Sequence, residues 1–173
     1  MDGRVVFYVR TLLGLDDMNS GAYALLSDAD IAAALQRHGE YVELLPLRGI
    51  FLAPSGDPTV FVADRSPWGS ATLYGGNGAV LTPASDDPVG GVWTFATPPG
   101  SVWVSGWWCD PYAAAAELAE RLAAREAFSF DVDIDQQSLK RSQKFAHFRE
   151  VAASLWGRAR PRLIRGDRAD AAY

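Results

Sequence analysis

The chain has 173 residues, of which 49% are hydrophobic and 21% are charged, and its formal net charge at pH 7 is -5. This length and composition fit one ordinary globular domain, and they exclude general disorder and a miniprotein held together by disulfides or metals. The single cysteine, Cys109, has no partner for an internal disulfide, and no apolar run is long enough for a membrane helix, so we expect a cytoplasmic protein that does not enter membranes.

The first part of the chain predicts a strand followed by a helix. Arg4 to Leu13 is rich in Val, Phe and Tyr, which favours a strand. Ser27 and Asp30 then have the spacing of a capping box, and apolar residues follow at helical spacing as far as Gly39. We therefore expect the first helix at about 28–38.

Residues 41–108 alternate between short apolar runs and turn sequences rich in Gly, Pro, Asn and Asp. Asn77-Gly78 lies between two such runs and is a strong hairpin signal, because both central residues of a type I′ turn need positive φ. Connections this short permit only antiparallel neighbours, since a parallel crossover needs roughly a dozen residues or more. The segment therefore predicts an antiparallel meander of six to eight strands.

Two further helices are predicted in the last third of the chain. Asp110 and Pro111 are the residue types preferred at an N-cap and at the first helical position, and the apolar stripe that follows predicts a helix at about 111–126. A second apolar stripe predicts a helix at about 138–156, which Gly157 would end.

The complete pattern predicts a single α+β domain over residues 1–157, with three helices packed mainly on one side of the sheet, and a mobile Arg-rich tail at 158–173. Residues 1–138 carry 7 basic and 18 acidic side chains, a net charge of -11, whereas residues 139–173 carry 9 and 3, a net charge of +6. The basic end either docks on the acidic body or binds an external polyanion. Nucleic acid could bind the segment 140–168, but the chain has no nucleic-acid-binding motif and we do not favour it.

The segment 128–135 has the alternation of a strand with one acidic face. Three carboxylates share that face: Asp131, Asp133 and Asp135. Three basic residues lie at the start of the next predicted helix: Lys140, Arg141 and Lys144. Clustered carboxylates favour a hard cation such as Mg²⁺ or Mn²⁺, and the basic residues would then hold a phosphate. The alternative is an acidic edge strand that has no metal and packs beside the basic helix.

A group of tryptophans lies in and near the last strands of the meander. Trp107 and Trp108 are adjacent, so on a strand their side chains point to opposite faces and at least one should be exposed. Together with Trp68 from an earlier turn they are candidate binding residues, because exposed aromatic side chains are enriched in interface hot spots. The alternative is a Trp-rich core.

Catalytic signatures are missing from the sequence. Cys109 precedes a predicted helix N-terminus, which would lower its pKa, but a thiol enzyme also needs His38 or His147 to approach it. We therefore predict first a non-catalytic cytosolic accessory protein without a cofactor, which binds a protein partner or forms a homo-oligomer. The alternative is a Mg²⁺- or Mn²⁺-dependent phosphoryl- or nucleotidyl-processing enzyme that uses the acidic strand.

Overall fold

The computed structural model describes residues 1–15, 26–51, 56–127, 132–134, 137–139 and 141–160, and for 132–134, 137–139 and 141–142 it describes the backbone alone. The helices in these ranges are α1 (Gly3–Leu12), α2 (Asp28–Arg37), α3 (Pro111–Ala127) and α4 (Arg141–Trp156). The strands are β1 (Gly39–Pro46), β2 (Arg48–Ile50), β3 (Val60–Val62), β4 (Trp68–Gly75), β5 (Val80–Leu81), β6 (Ser85–Asp87), β7 (Val92–Thr94), β8 (Val102–Cys109), β9 (Val132–Ile134) and β10 (Gln137–Leu139). The predicted single α+β domain is confirmed.

The strands of the meander divide between two antiparallel sheets of four strands each, where the sequence suggested one continuous sheet. Sheet A has the order β1-β8-β4-β5 and sheet B has the order β2-β3-β7-β6, while β9 and β10 pair separately as a two-stranded ribbon. The division lets the large apolar residues of both sheets bury one another. Trp68 of sheet A and Trp93 of sheet B meet edge to face, with ring centroids 6.2 Å apart.

The helices form a second core around α3. Alanines and leucines cover α3 on nearly every side, and its N-terminal half from Ala113 to Ala116 is buried. Such small side chains let α3 contact α1, α2 and α4 at the same time. Cys109, at the end of β8, belongs to this helical core, whereas the preceding Trp108 packs against the core between the sheets.

The strand predicted at Arg4 to Leu13 is wrong, because this segment forms helix α1. Asp2 is its N-cap and accepts a hydrogen bond from the backbone N–H of Arg4 at 2.8 Å. Val5 and Val9, one helical turn apart, are fully buried in the helical core. Burial of this stripe outweighs the preference of β-branched residues for strands, and so the described chain has four helices where three were predicted.

Candidate functional site

The three tryptophans predicted to bind a partner lie in three different environments. Trp107 is 41% exposed, Trp108 is half-buried, and Trp68 is fully buried between the two sheets. The indole N–H of Trp68 donates to the carbonyl oxygen of Arg65 at 2.8 Å, as a buried indole requires. Trp68 is therefore a core residue, whereas Trp107 and Trp108 reach two different surfaces.

A bulge in β4 sets the direction of these side chains. Trp68 lies opposite Trp108 and Ser70 lies opposite Trp107, so that Gly69 is an extra residue between the two pairs. The extra residue keeps Trp68 inside the sandwich and turns Ser70 to the outer face of sheet A. Gly106 of β8 fits beside this bulge because it has no side chain: a Cβ there would overlap the carbonyl oxygen of Ser70.

The outer face of sheet A carries four aromatic residues, which we call the aromatic face: Tyr41, Tyr74, Trp103 and Trp107. Tyr41 lies opposite Trp107 and Tyr74 lies opposite Trp103 in the strand register, and alternation along β8 puts both tryptophans on one face. The rings of Tyr41 and Trp107 meet edge to face with centroids 6.0 Å apart. Tyr41 is 57% exposed, while Tyr74 and Trp103 are half-buried.

Small polar side chains separate the aromatic rings on this face. Ser70 and Thr72 are exposed, and the hydroxyl of Ser105 accepts a hydrogen bond from the backbone N–H of Leu44 at 2.9 Å. Leu44 lies in a second bulge, in the edge strand β1, where the register shifts between Val42 and Leu45. The hydrogen bond to Ser105 gives the backbone N–H of Leu44 a partner within this bulge. An irregular edge disfavours the addition of another strand.

The predicted binding set missed Tyr41, Tyr74 and Trp103. The alternation Trp103, Ser105, Trp107 was visible in the sequence, and it pairs large aromatic residues with a small polar one on a single face. The two tyrosines were not recognisable without the strand register.

The acidic strand and basic helix lie mostly outside the residues that the structure describes. Asp131, Asp135 and Lys140 fall outside them, and Asp133 is placed by its backbone opposite Ser138 in the ribbon. Helix α4 begins at Arg141, not at 138 as predicted, because β10 occupies residues 137–139. Lys144 is exposed on α4. Within the described ranges no group of three or more His, Cys, Asp or Glu residues is placed to hold a metal, and the proposed Asp site itself stays a prediction.

Burial, and not the nearby helix N-terminus, dominates the environment of Cys109. Its side chain is fully buried, and burial raises the pKa of the thiol to about 11. The N-terminus of α3 instead stabilises Asp110, whose Oδ1 accepts hydrogen bonds from the backbone N–H groups of Tyr112 and Ala113 at 3.0 and 3.1 Å. His147 is exposed on α4. Cys109 is therefore a thiol of the helical core.

His38 belongs to a charged cluster that joins α2 to α3. Its Nε2 lies 2.9 Å from Glu117, which also accepts hydrogen bonds from Arg37 at 3.1 and 2.7 Å and pairs with Arg121 at 2.7 Å. Burial alone would raise the pKa of Glu117, but the hydrogen bonds from Arg37 and His38 hold it below its ordinary value. The cluster joins the two helices through ion pairs, and His38 is one of its members.

The chain matches no protein-family model, no curated protein and no solved structure. Among the helices that the structure describes, none is both long and apolar enough to span a membrane. The aromatic face of sheet A is therefore the main basis for a functional proposal.

Proposed function

We propose that this chain is a non-catalytic cytosolic accessory protein that binds another protein, or a second copy of itself, through the aromatic face. The observation that carries the proposal is the pairing of Tyr41 with Trp107, two exposed rings in contact on neighbouring strands. Tyrosine and tryptophan combine a large apolar area with one polar atom and few rotatable bonds, which makes them effective anchors. A cytosolic setting agrees with the single Cys109, which is buried as a free thiol.

Stable binding requires the area of the whole aromatic face, because the Tyr41–Trp107 pair alone contributes too little free energy. Covering apolar surface stabilises a complex by roughly 25 cal/mol per Å², so about 100 Å² of ring surface contributes about 2.5 kcal/mol. Association opposes this with about 4 kcal/mol or more of lost translational and rotational freedom. Tyr74 and Trp103, which continue the same surface, would supply part of the remaining area.

A protein partner fits this face better than nucleic acid does. Single-stranded nucleic acid also stacks on aromatic residues, but it requires a positively charged groove beside them. The body that carries the aromatic face, residues 1–138, has a net charge of -11. A flat sheet face with serine and threonine between the rings also resembles a protein interface more than the concave pocket typical of small ligands.

Paired variants would test the proposal. The double variant Tyr41→Ser, Trp107→Ser removes the two exposed rings, and Phe51→Ser removes an aromatic residue that is even more exposed but belongs to neither β1 nor β8. We expect the wild type and Phe51→Ser to self-associate in light scattering, or to retain the same partner from native lysate. The double variant should bind at least about thirtyfold more weakly, the loss of a 2 kcal/mol hot spot.

The opposite result is equally clear. A wild type that stays monomeric over a wide concentration range, and that captures the same proteins as the folded double variant, would refute the proposal.

A further inference from the structure

A small pocket, separate from the aromatic face, lies where α1, the start of α3 and the residues after α4 meet. Its volume is about 220 Å³, and the residues that give it its chemistry are Tyr8, Trp108, Asp110, Tyr112, Arg158 and Arg160. This volume is below the roughly 300–1,000 Å³ of sites that hold drug-sized molecules. A ligand that fills it would be small.

The hydroxyl groups of two tyrosines in the pocket share one hydrogen bond, so one of their two protons has no acceptor in the pair. The hydroxyls of Tyr8 and Tyr112 are 3.2 Å apart and share one hydrogen bond. Two hydroxyls carry two protons, and only one of them can lie in the shared bond. Arg158 approaches Tyr112 as a donor, at 3.1 Å from the hydroxyl, and cannot accept the other. One O–H of the pair is therefore available to a ligand.

Two arginines add positive charge at the mouth of the pocket. The guanidinium of Arg158 lies 4.5 Å from the ring centroid of Tyr112, and that of Arg160 lies 5.1 Å from the ring of Trp108. Among the described residues neither guanidinium forms an ion pair with a carboxylate. Among the described residues, the two guanidinium groups donate one side-chain hydrogen bond, from Arg158 to the Tyr112 hydroxyl, and their other N–H groups remain as donors.

The one acidic residue of the pocket is already engaged. Asp110 Oδ1 accepts the two backbone N–H groups at the start of α3, and Oδ2 accepts the backbone N–H of Arg160 at 2.8 Å. Its carboxylate therefore anchors the residues after α4 and stabilises the helix. The pocket is left with an excess of donors and with two positive charges against one negative charge.

We propose that this pocket binds a small organic anion. Its carboxylate or phosphate group would be held by the guanidinium edges of Arg158 and Arg160 and by the available tyrosine hydroxyl. Its apolar part would rest against the side chains of Pro67 and Val89, which line the same pocket. This site does not depend on the proposed protein-binding function, since it shares no residue with the aromatic face.

Calorimetric titration at low salt with benzoate, inorganic phosphate and benzamide tests the site. We expect saturable binding of benzoate or of phosphate, whichever head group the site prefers, and none of benzamide, which has the shape of benzoate without its charge. Arg160→Gln should weaken binding roughly tenfold, and the double variant Arg158→Gln, Arg160→Gln should weaken it further. Arg149→Gln, which removes an exposed arginine from α4 outside the pocket, should change nothing.

Arg160→Gln is the safer of the two pocket variants, because the bond from its backbone N–H to Asp110 remains. Near-ultraviolet circular dichroism without ligand would show that each variant keeps its tertiary structure. The proposal is overturned if neither benzoate nor phosphate binds saturably, if benzamide binds as tightly as benzoate, or if folded Arg160→Gln binds with unchanged affinity.

Discussion

Gly106 of β8 approaches Ser70 of β4 so closely that no side chain can be placed between them. The contact lies at the bulge where β4 changes the face to which its residues point. This close contact therefore fixes two orientations at the bulge: Trp68 points into the core, and Trp107 points outward.

Replacement of Gly106 by alanine should be strongly destabilising. The added Cβ overlaps a backbone atom, which can move only with the whole strand, so we expect a loss of about 3 kcal/mol or more. Urea unfolding would measure it. Gly3→Ala is the matched control, because a Cβ at position 3 meets nothing within 4 Å, and its stability should stay within about 0.5 kcal/mol of the wild type. Equal stability of the two variants would contradict the strand contact described here.

Glu117 should make stability depend on pH in the acidic range. Its pKa in the folded protein is below the ordinary value of 4.5, so its contribution is fully present above that value and is lost as the pH falls through the folded pKa. Glu117→Gln should therefore destabilise the protein at pH 7, and the difference from wild type should shrink between neutral pH and about pH 3. Glu150→Gln, an exposed change on α4, should show no such trend. Thermal unfolding at several pH values is the measurement.

Cys109 should resist alkylation in the folded protein. With a pKa of about 11 instead of the ordinary 9.0, its thiolate fraction at pH 8 is about a hundredfold smaller than that of an unperturbed thiol. Iodoacetamide labelling followed by mass spectrometry should therefore be slow in buffer and fast in urea. Rapid labelling of the folded protein would show that the thiol is accessible and activated after all.

Divalent cations separate the two functional hypotheses. If Asp131, Asp133 and Asp135 bound Mg²⁺ or Mn²⁺, the metal would raise the melting temperature and Asp133→Asn would abolish the rise. We expect no rise, because metal-dependent phosphoryl transfer generally needs a second set of carboxylates, and the described residues offer none. Differential scanning fluorimetry with and without each metal decides the question. A rise that Asp133→Asn removes would favour the enzyme over the accessory protein.

Local sequence signals predicted most of the secondary structure correctly. Ser27 and Asp30 form the expected capping box, with reciprocal hydrogen bonds of 3.0 and 3.2 Å. Asp110 and Pro111 begin α3 as expected. The hairpin at Asn77-Gly78 forms between β4 and β5, but the predicted type I′ turn is wrong, because Gly78 has a positive φ of 77° and Asn77 does not. Each of these features is set by residues a few positions apart, which is why the sequence alone was sufficient.

The features that the sequence did not predict depend on distant residues. Helix α1 forms because its valine stripe is buried by other helices, which composition cannot show. The aromatic face depends on the bulge at Gly69, although glycine inside an apolar strand is itself a signal of a bulge. The pocket joins Arg158 to Tyr112 and Arg160 to Asp110 across 46 and 50 positions of the chain.

The two hydrophobic cores meet at the peptide bond between Trp108 and Cys109, because Trp108 packs with the sheets and Cys109 packs with the helices. β8 pairs with both β1 and β4 and ends in the helical core. Loss of order in either core would therefore destabilise the other through this strand. The sheets and helices should therefore unfold cooperatively, in one transition rather than two. The slowest-exchanging amide protons of β8 and α3 should then report the same free energy of opening.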